Sequence, residues 1–412
     1  MAPSGDSTAP RPASRAADSA WFDARGLQRD FKEHAGRGIG SYVASLVRGF
    51  DAVARPGAVR PFVERGASLA VGPPRTPLLL APSWPSGGGR LASLVRQQVA
   101  LAAWIGRHRP AVVHFAAQTD APWRVAVPSV VTVHDVVLHR AGARPEAPGR
   151  AAAARFAIAR AIERRAIARA ARLVVPSEVS AAELAATLGV DRARIAVVPE
   201  APAPWFRPEV GPGDEELRRR LGLPERYLLH PGGSDERKRL PALVAAFDRV
   251  ASDDASIGLV LTGPVDRGPG GAALRSAIET AAARGRIRTT GVLAEGEMPA
   301  VFRGAAALVL ATRHEGFGLP VVEAFASGVP VVATAAPAVV EVAGEAALLV
   351  PVDEPAALAD ALCRVLRDTA FAAELRTRGL ERASRLDESA VARETLRVLE
   401  QVSGASLLAP GA

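Results

Sequence analysis

Glu315 and Glu323 stand eight positions apart in the stretch RHEGFGLPVVEAFASGVPVVAT, residues 313–334, with Gly316, Gly318 and Pro320 between them and Gly328 just beyond. A carboxylate accepts hydrogen bonds from vicinal hydroxyls. Two acids on one loop-and-helix unit can therefore grip two polyol parts of a single ligand. Glycines allow backbone N–H groups to approach a ligand without side-chain interference, and a helix N-terminus adds partial positive charge suited to a phosphate. A sugar nucleotide has this build: a ribose diol and a hexose with a diphosphate between them. One glutamate beside a helix start is commonly a complement to the helix dipole and nothing more; the whole string of acids, glycines and prolines asks for more than that.

Three further groups have chemistry in reach. Arg237 and Lys238 in SDERKR offer a planar fork and a point charge for one anion; a solvated basic turn is the ordinary fate of such a run. His134 closes the apolar run VVTVHD, where a histidine is often a core residue bonded to a carbonyl. Gly36, Gly38 and Gly40 in AGRGIGSY precede a helical pattern. That is a weak signal by itself, and it lacks both the G-x-G-x-x-G spacing and the later acid of a dinucleotide site.

Apolar runs of strand length alternate with helical segments and must position these groups. Strands are expected at 21–24, 110–115, 129–135, 171–177, 194–199, 226–232, 256–263, 286–291, 306–312, 330–334 and 346–350. Helices are expected at 40–53, 91–107, 149–171, 180–188, 239–252, 271–284 and 355–368. Many of the strands are unbroken Val/Leu/Ile runs, the pattern of parallel strands covered on both faces. Strand–helix–strand repetition predicts α/β architecture with doubly wound parallel sheets, whose ligands bind at the carboxyl ends of the strands. The segment 199–213 holds five prolines in fifteen residues and reads as a linker. The expected units are a disordered tail over 1–19, an N-terminal domain over 20–203, a C-terminal domain over 204–385, and a last segment, 386–412, whose helix at 387–402 crosses back. Residues 54–95 read as irregular.

HEGFGLPVVEAFASGVPVVAT resembles the E-x7-E signature of the retaining glycosyltransferases of family 4, which have the GT-B fold of two Rossmann-like domains facing across a cleft. Similar pieces follow in order along residues 20–400: FDARGLQ, GRGIGSYV, VVTVHDVVLHR, VVPSEVSAAELAATLGVDRARIAVVPEA, and LLHPGGSDERKRLPALVAAF, which is similar to the family's GG-x-D-x-R-K-N loop. The resemblance implies that Glu315 contacts the donor sugar and that Glu323 holds the nucleotide ribose. It implies that backbone around Gly316, Phe317, Gly318 and Leu319 faces the diphosphate, with Gly233 in the first glycine loop. Arg237 and Lys238 then offset the charge of the departing nucleoside diphosphate, His134 contacts the hexose, and Gly38 and Gly40 bring backbone near the donor phosphate and the acceptor. Arg239 departs from the family, which often has Asn there. The implied course is front-face displacement with retention, in which a phosphate oxygen takes the acceptor proton. No D-x-D pair is present, so neither a metal nor another cofactor is expected. GIGSY and TVHD favour mannose from a GDP-linked donor, with glucose from UDP or GDP left open.

The remaining properties narrow the class. Lone Cys363 excludes an internal disulfide framework and fits a reducing cytoplasm; no zinc spacing occurs. The formal net charge of +8 attracts anions, although arginine and alanine richness fits a GC-biased genome equally well. Nucleic acid is not an expected partner. A glycan or lipid-linked acceptor and peripheral contact with an anionic inner membrane face are expected. The basic segment 149–173, with seven arginines, reads either as a membrane-surface helix or as a solvated arginine face. A same-fold epimerase, a phosphorylase and a non-catalytic scaffold are the competing readings. The whole E-x7-E cassette speaks against the epimerase, no pyridoxal-phosphate lysine region supports the phosphorylase, and intact Glu315, Glu323, Arg237, Lys238 and His134 speak against the scaffold.

Overall fold

The computed structural model describes residues 18–29, 31, 38–70, 72, 74–86, 89–140, 149–294 and 296–412. The expected tail falls outside them except for Asp18 and Ser19, and Ser19 is buried, its carbonyl accepting from the Ala111 amide.

Two parallel sheets form in chain order. The first contains β1 (Ala20–Asp23), β2 (Val59–Glu64), β3 (Leu79–Ala81), β4 (Val112–Phe115), β5 (Ser129–Thr132), β6 (Arg172–Val175) and β7 (Ile195–Val197), in the order β3-β2-β1-β4-β5-β6-β7. The second contains β8 (Arg226–His230), β9 (Ile257–Thr262), β10 (Ile287–Gly291), β11 (Ala307–Leu310), β12 (Val331–Thr334) and β13 (Leu348–Val350), in the order β10-β9-β8-β11-β12-β13. The central strands β1, β4, β5, β9, β11 and β12 are buried along their whole length, as parallel strands covered on both faces require.

Two strands depart from the sequence expectation. β2 and β3 lie inside the stretch read as irregular. Pro61 removes a backbone donor in mid-strand, and β3 is only three residues long. The sheet accommodates Pro61 by beginning the β3 pairing at the next residue, Phe62 against Leu79. The proline-rich connection has no regular structure before the helix at Asp214–Arg220, yet Phe206 is buried against Phe302, ring centroids 5.2 Å apart, which anchors the linker to the second lobe.

Each sheet reverses its strand order once, between β1 and β4 and between β8 and β11. Adjacent loops diverge at such a point and open a crevice at the carboxyl edge. In the second sheet the loops flanking the reversal carry Arg237 and Lys238 after β8 and Glu315 after β11. In the first sheet the segment after β1 leads to the helix at Gly38–Val53.

The C-terminal helix, Glu388–Ser403, returns to the first lobe. Val391, Leu396 and Leu399 share a core with Tyr42, Leu46 and Phe50, and Arg48 Nη2 lies 2.6 Å from Glu388 Oε1. Gly49 sets the approach: a Cβ there would lie 2.5 Å from the Glu388 carbonyl and 2.6 Å from the Ala392 Cβ. Gly49→Ala should therefore lower unfolding stability by about 1–3 kcal/mol in urea titration. Gly285→Ala, where the added methyl meets nothing within 4 Å, should stay within about 0.5 kcal/mol.

Candidate active site

The loop after β8 is folded around its cations. Asp235 caps the short turn Glu236–Lys238 by accepting from the Arg237 amide at 3.0 Å. The Arg237 carbonyl accepts from the Arg313 amide at 2.8 Å and from Thr312 Oγ1 at 3.3 Å, which ties this loop to the one carrying Glu315. Arg239 follows with φ +50°, in the left-handed region that Asn tolerates better than Arg. Asp353, which accepts from both Arg239 and Arg313, holds it there. The family's preference for Asn at this place thus has a backbone reason, and the arginine is held by charge.

Glycine packs the floor beneath the cations. Gly232 (φ +108°) lies under Lys238, whose Nζ would be 2.1 Å from a Cβ there. A Cβ on Gly263 would lie 2.9 Å from the Gly232 carbonyl carbon, and one on Gly270 would lie 1.6 Å from the Ser234 carbonyl oxygen. Gly233 makes only ordinary contact with Pro264. Backbone crowding thus demands glycine at Gly263 and Gly270, and the left-handed φ favours it at Gly232. Sequence reasoning named none of the three for this role; at Gly263 and Gly270 the crowding comes from residues distant in the chain.

Lys238 donates to the Pro231 carbonyl at 3.4 Å. Burial lowers its pKa, with Arg237 adding repulsion and Glu315 and Asp235 opposing. Arg237 sits between the lobes: Nη1 lies 3.7 Å from Asp135 and 3.8 Å from Glu315, and Nε lies 3.4 Å from Asp235. Burial works against its charge, but Glu315, Asp135 and Asp235 together hold its pKa above the ordinary value. These contacts are ionic: Nε and Nη1 are buried with no hydrogen-bond acceptor. Two guanidinium N–H groups beside a half-buried lysine ammonium make a cradle for an anion with several oxygens.

The acids are placed by the turn between β11 and the helix Leu319–Ala326. Glu315 is 15% exposed at the mouth; Glu323 lies on the helix, partly buried. Gly318 caps that helix at φ +105°. Phe317 and Leu319 turn their side chains into the core with Val322 and Phe325, leaving only backbone for any contact with a ligand. Gly316 also packs against the opposite lobe. A Cβ there would lie 1.9 Å from the His134 carbonyl oxygen, and the Gly316 carbonyl accepts from Ser177 Oγ at 2.7 Å and Ser180 Oγ at 2.8 Å. It is a close contact between the two lobes. A second contact reinforces it: the Glu341 carboxylate accepts from the amides of Glu178 and Val179, capping a helix of the opposite lobe.

His134 lies on the first lobe's side of this seam. Its Nε2 faces the Ala116 carbonyl at 2.8 Å and its Nδ1 faces Glu200 at 3.1 Å. Both ring nitrogens thus have protein partners, an arrangement that fits the carbonyl-bonded reading of the ring. The Tyr42 ring meets it edge-on at 4.9 Å, one turn into the helix that Gly38 and Gly40 begin. Those two glycines are helical rather than loop residues; Gly36 lies outside the described residues. Burial pulls the His134 pKa down, but the Glu200 hydrogen bond and charge, the Ala116 carbonyl and Asp135 outweigh it and leave it raised. Glu200 was missed in the sequence because it opens the proline-rich linker. Its signal was its place just past the end of β7. His314, also missed, is buried beside Glu183 of the opposite lobe at 3.6 Å, and burial lowers its pKa. Among the described residues no group of three or more His, Cys, Asp and Glu side chains could hold a metal ion, and no helix is long and apolar enough to cross a membrane.

Two outcomes test this geometry. Gly316→Ala should force the lobes apart, giving a larger radius of gyration in small-angle scattering; an unchanged curve would refute the contact. Because the His134 pKa is raised, its contribution to stability is fully present below the unfolded value of about 6.5 and is lost as pH rises through the folded one. The melting-temperature advantage of wild type over Glu200→Gln should therefore be largest near about pH 6 and shrink toward alkaline pH.

Comparison with known proteins agrees with this architecture. The family model described as Glycosyltransferase Family 4 matches residues 36–201, and that described as Glycosyl transferases group 1 matches residues 225–368. A D-inositol 3-phosphate glycosyltransferase of Salinispora arenicola (strain CNS-205) is 30% identical over 271 residues, 61% of this chain and 58% of the relative. A 2-deoxystreptamine glucosyltransferase of Streptomyces kanamyceticus is 33% identical over 172 residues, 41% of this chain and 43% of the relative. The chain thus spans roughly half the length of these curated relatives. Among solved structures, sucrose-phosphate synthase from Thermosynechococcus elongatus superposes with a TM-score of 0.72 at 20% identity, covering 93% of this chain and 98% of the other. HepE from Anabaena, in complex with UDP and glucose, gives 0.66 at 16% identity, covering 93% and 99%. The chain is a GT-B-fold protein with a glycosyltransferase family match in each of its two lobes.

Proposed function

We propose that this chain transfers a hexosyl group from a nucleoside-diphosphate sugar to a hydroxyl of a polyol or glycan acceptor. The observation that carries the reading is the pair Arg237 and Lys238: a half-buried ammonium beside a guanidinium with two acceptorless N–H groups, at the strand-order reversal and in front of Glu315. Departure of a nucleoside diphosphate builds negative charge on its bridging oxygen. Fixed cations in a water-poor site lower the energy of that charge without reorganising.

In this reading Glu315 accepts from hydroxyls of the donor sugar and Glu323 from the ribose diol. The bond from the anomeric carbon to the diphosphate oxygen breaks while the acceptor oxygen approaches from the same face, so configuration is retained. The leaving phosphate oxygen takes the acceptor proton, and no side chain acts as nucleophile. His134, held by Ala116 and Glu200, sets the position of the Asp135 backbone and of the Gly316 contact. The cation pair supplies the charge that a metal supplies elsewhere, so turnover continues in EDTA. For the sugar, the sequence put mannose first, whereas the relatives' names speak of a glucosyltransferase and of a fold neighbour holding UDP and glucose. Glucose from UDP-glucose is therefore the donor to test first, beside GDP-mannose. The acceptors to test range from cyclitols, after the names of the relatives, to lipid-linked glycans.

The experiment is release of nucleoside diphosphate from a panel of UDP- and GDP-sugars, with and without EDTA. Wild type should turn over one donor preferentially. Lys238→Ala and Arg237→Ala should each lower kcat by about 10²–10³-fold, and Arg237→Lys should recover only part, since a point charge does not replace a planar fork. Tight nucleotide binding with no turnover by wild type would indicate a scaffold instead.

A further inference from the structure

The Arg237 guanidinium has a carboxylate neighbour from each lobe at nearly equal distance. Its Nη1 lies 3.8 Å from Glu315 and 3.7 Å from Asp135. Glu315 has a part in the proposed reaction, the grip on the donor sugar. Asp135, which the first lobe contributes, has none beyond its charge. Yet it is held more firmly than a surface acid needs to be. Its Oδ1 accepts from the Val137 amide at 3.1 Å, at the start of the short turn Val137–His139. Its carbonyl accepts from Gln118 Nε2 at 3.0 Å. Gly316 packs beside it: a Cβ on that glycine would lie 3.6 Å from the Asp135 Cβ. The side chain is still 29% exposed, so the oxygen that faces Arg237, Oδ2, stands at the open cleft.

Other carboxylates at the strand ends of the first lobe are engaged within it or at the seam. Asp23 pairs with Arg25, and Glu64 faces Arg25 and Arg96. Glu200 meets His134, and Glu183 lies between Arg140 and His314. Among the described ion pairs, Asp135 is the first-lobe carboxylate that reaches the anion cradle of the second lobe. A diphosphate oxygen seated on Nη1 would therefore lie beside two carboxylates. Like charges that close repel, and a hydroxyl donating to each carboxylate relieves the conflict. The donor sugar supplies such hydroxyls to Glu315 from its own lobe. For Asp135 they must come from the acceptor. The hydroxyl under attack cannot serve, because its proton goes to the leaving phosphate oxygen. The hydroxyl on the next carbon can.

We infer that Asp135 determines acceptor specificity: it accepts a hydrogen bond from the hydroxyl beside the attacked one, so the acceptor class is a vicinal diol. This rests on the donor reading given above. In the transfer, the attacked oxygen bonds to the anomeric carbon and the bond from that carbon to the diphosphate oxygen breaks. The attacked hydroxyl's proton passes to the leaving phosphate, and Asp135 neither gains nor loses one. Its fixed Oδ1 and open Oδ2 aim the diol, and its charge disfavours an acceptor with an anionic group on the carbon next to the reacting one.

Asp135→Asn tests it, since the amide oxygen can keep the Val137 contact while the charge is lost. In calorimetry with UDP and GDP, which needs no acceptor, the variant should bind the preferred nucleotide about 3–10-fold more tightly, because no carboxylate competes for Arg237 or repels the phosphate. A change at a merely structural residue would weaken binding instead. With the best acceptor of the cyclitol and glycan panel, kcat/KM for the acceptor should fall at least about tenfold while KM for the donor does not rise. Wild type should use an analogue deoxygenated beside the glycosylated position about 10–100-fold less well than the parent, and Asp135→Asn should discriminate less than about threefold. Nucleotide binding that is unchanged or weaker in the variant, or equal discrimination by both proteins, overturns the inference while leaving the donor reading in place. Wild type that binds neither UDP nor GDP sinks the donor reading, and this inference with it.

Discussion

Two adjacent half-buried cations, at the place where the second sheet reverses its strand order, are the constraint around which the site is arranged. Water is partly excluded from both Arg237 and Lys238, and a charge held that way must be compensated. The carboxylates of Asp135, Asp235 and Glu315 compensate it at 3.4–3.8 Å, as ionic neighbours and not as hydrogen-bond partners of the guanidinium. Leaving a buried donor without an acceptor costs about 1–3 kcal/mol, so a ligand that brings phosphate oxygens gains by filling those positions.

The second lobe does not complete the arrangement alone. Asp135 reaches Arg237 from the opposite lobe, Ser177 and Ser180 hold the Gly316 carbonyl, and Glu341 caps the helix that Ser177 begins. Each contact joins a strand-end loop or helix terminus of one lobe to its counterpart in the other, so the cleft is closed by a few directional bonds around a glycine too crowded to carry a side chain. Opening breaks those bonds while leaving both cores intact, and that makes domain motion a natural way to admit and release a bulky donor. The returning helix, Glu388–Ser403, places a segment that follows the second lobe inside the first lobe's core and limits how far the lobes can separate.

Much of this was legible in the sequence where the signal was local. Glu315, Gly318, Pro320 and Glu323 share one strand–turn–helix unit, and Arg237 and Lys238 lie within one capped turn; composition and spacing sufficed to place both at strand carboxyl ends. Long-range proximity was not legible. Glu200, Ser177 and Glu341 meet their partners only when distant loops fold together, and nothing about Gly263 or Gly270 in the chain says which backbone will press on them. β2 and β3 escaped because Pro61 mimics a break and three residues carry no periodicity. Gly316 was legible as a place of close backbone approach, but its approach to the neighbouring lobe was not. His134 was legible as the end of a buried strand, whereas the carbonyl and carboxylate that meet its ring, Ala116 and Glu200, come from distant parts of the chain.

The central claim is that the paired cations hold the diphosphate of an activated sugar. Crystals of the chain soaked with UDP or GDP test it most directly. The account predicts diphosphate oxygens within hydrogen-bond distance of Arg237 Nε and Nη1 and of Lys238 Nζ, with the ribose at Glu323. A nucleotide bound elsewhere, with Arg237 Nε and Nη1 still lacking acceptors, would contradict it.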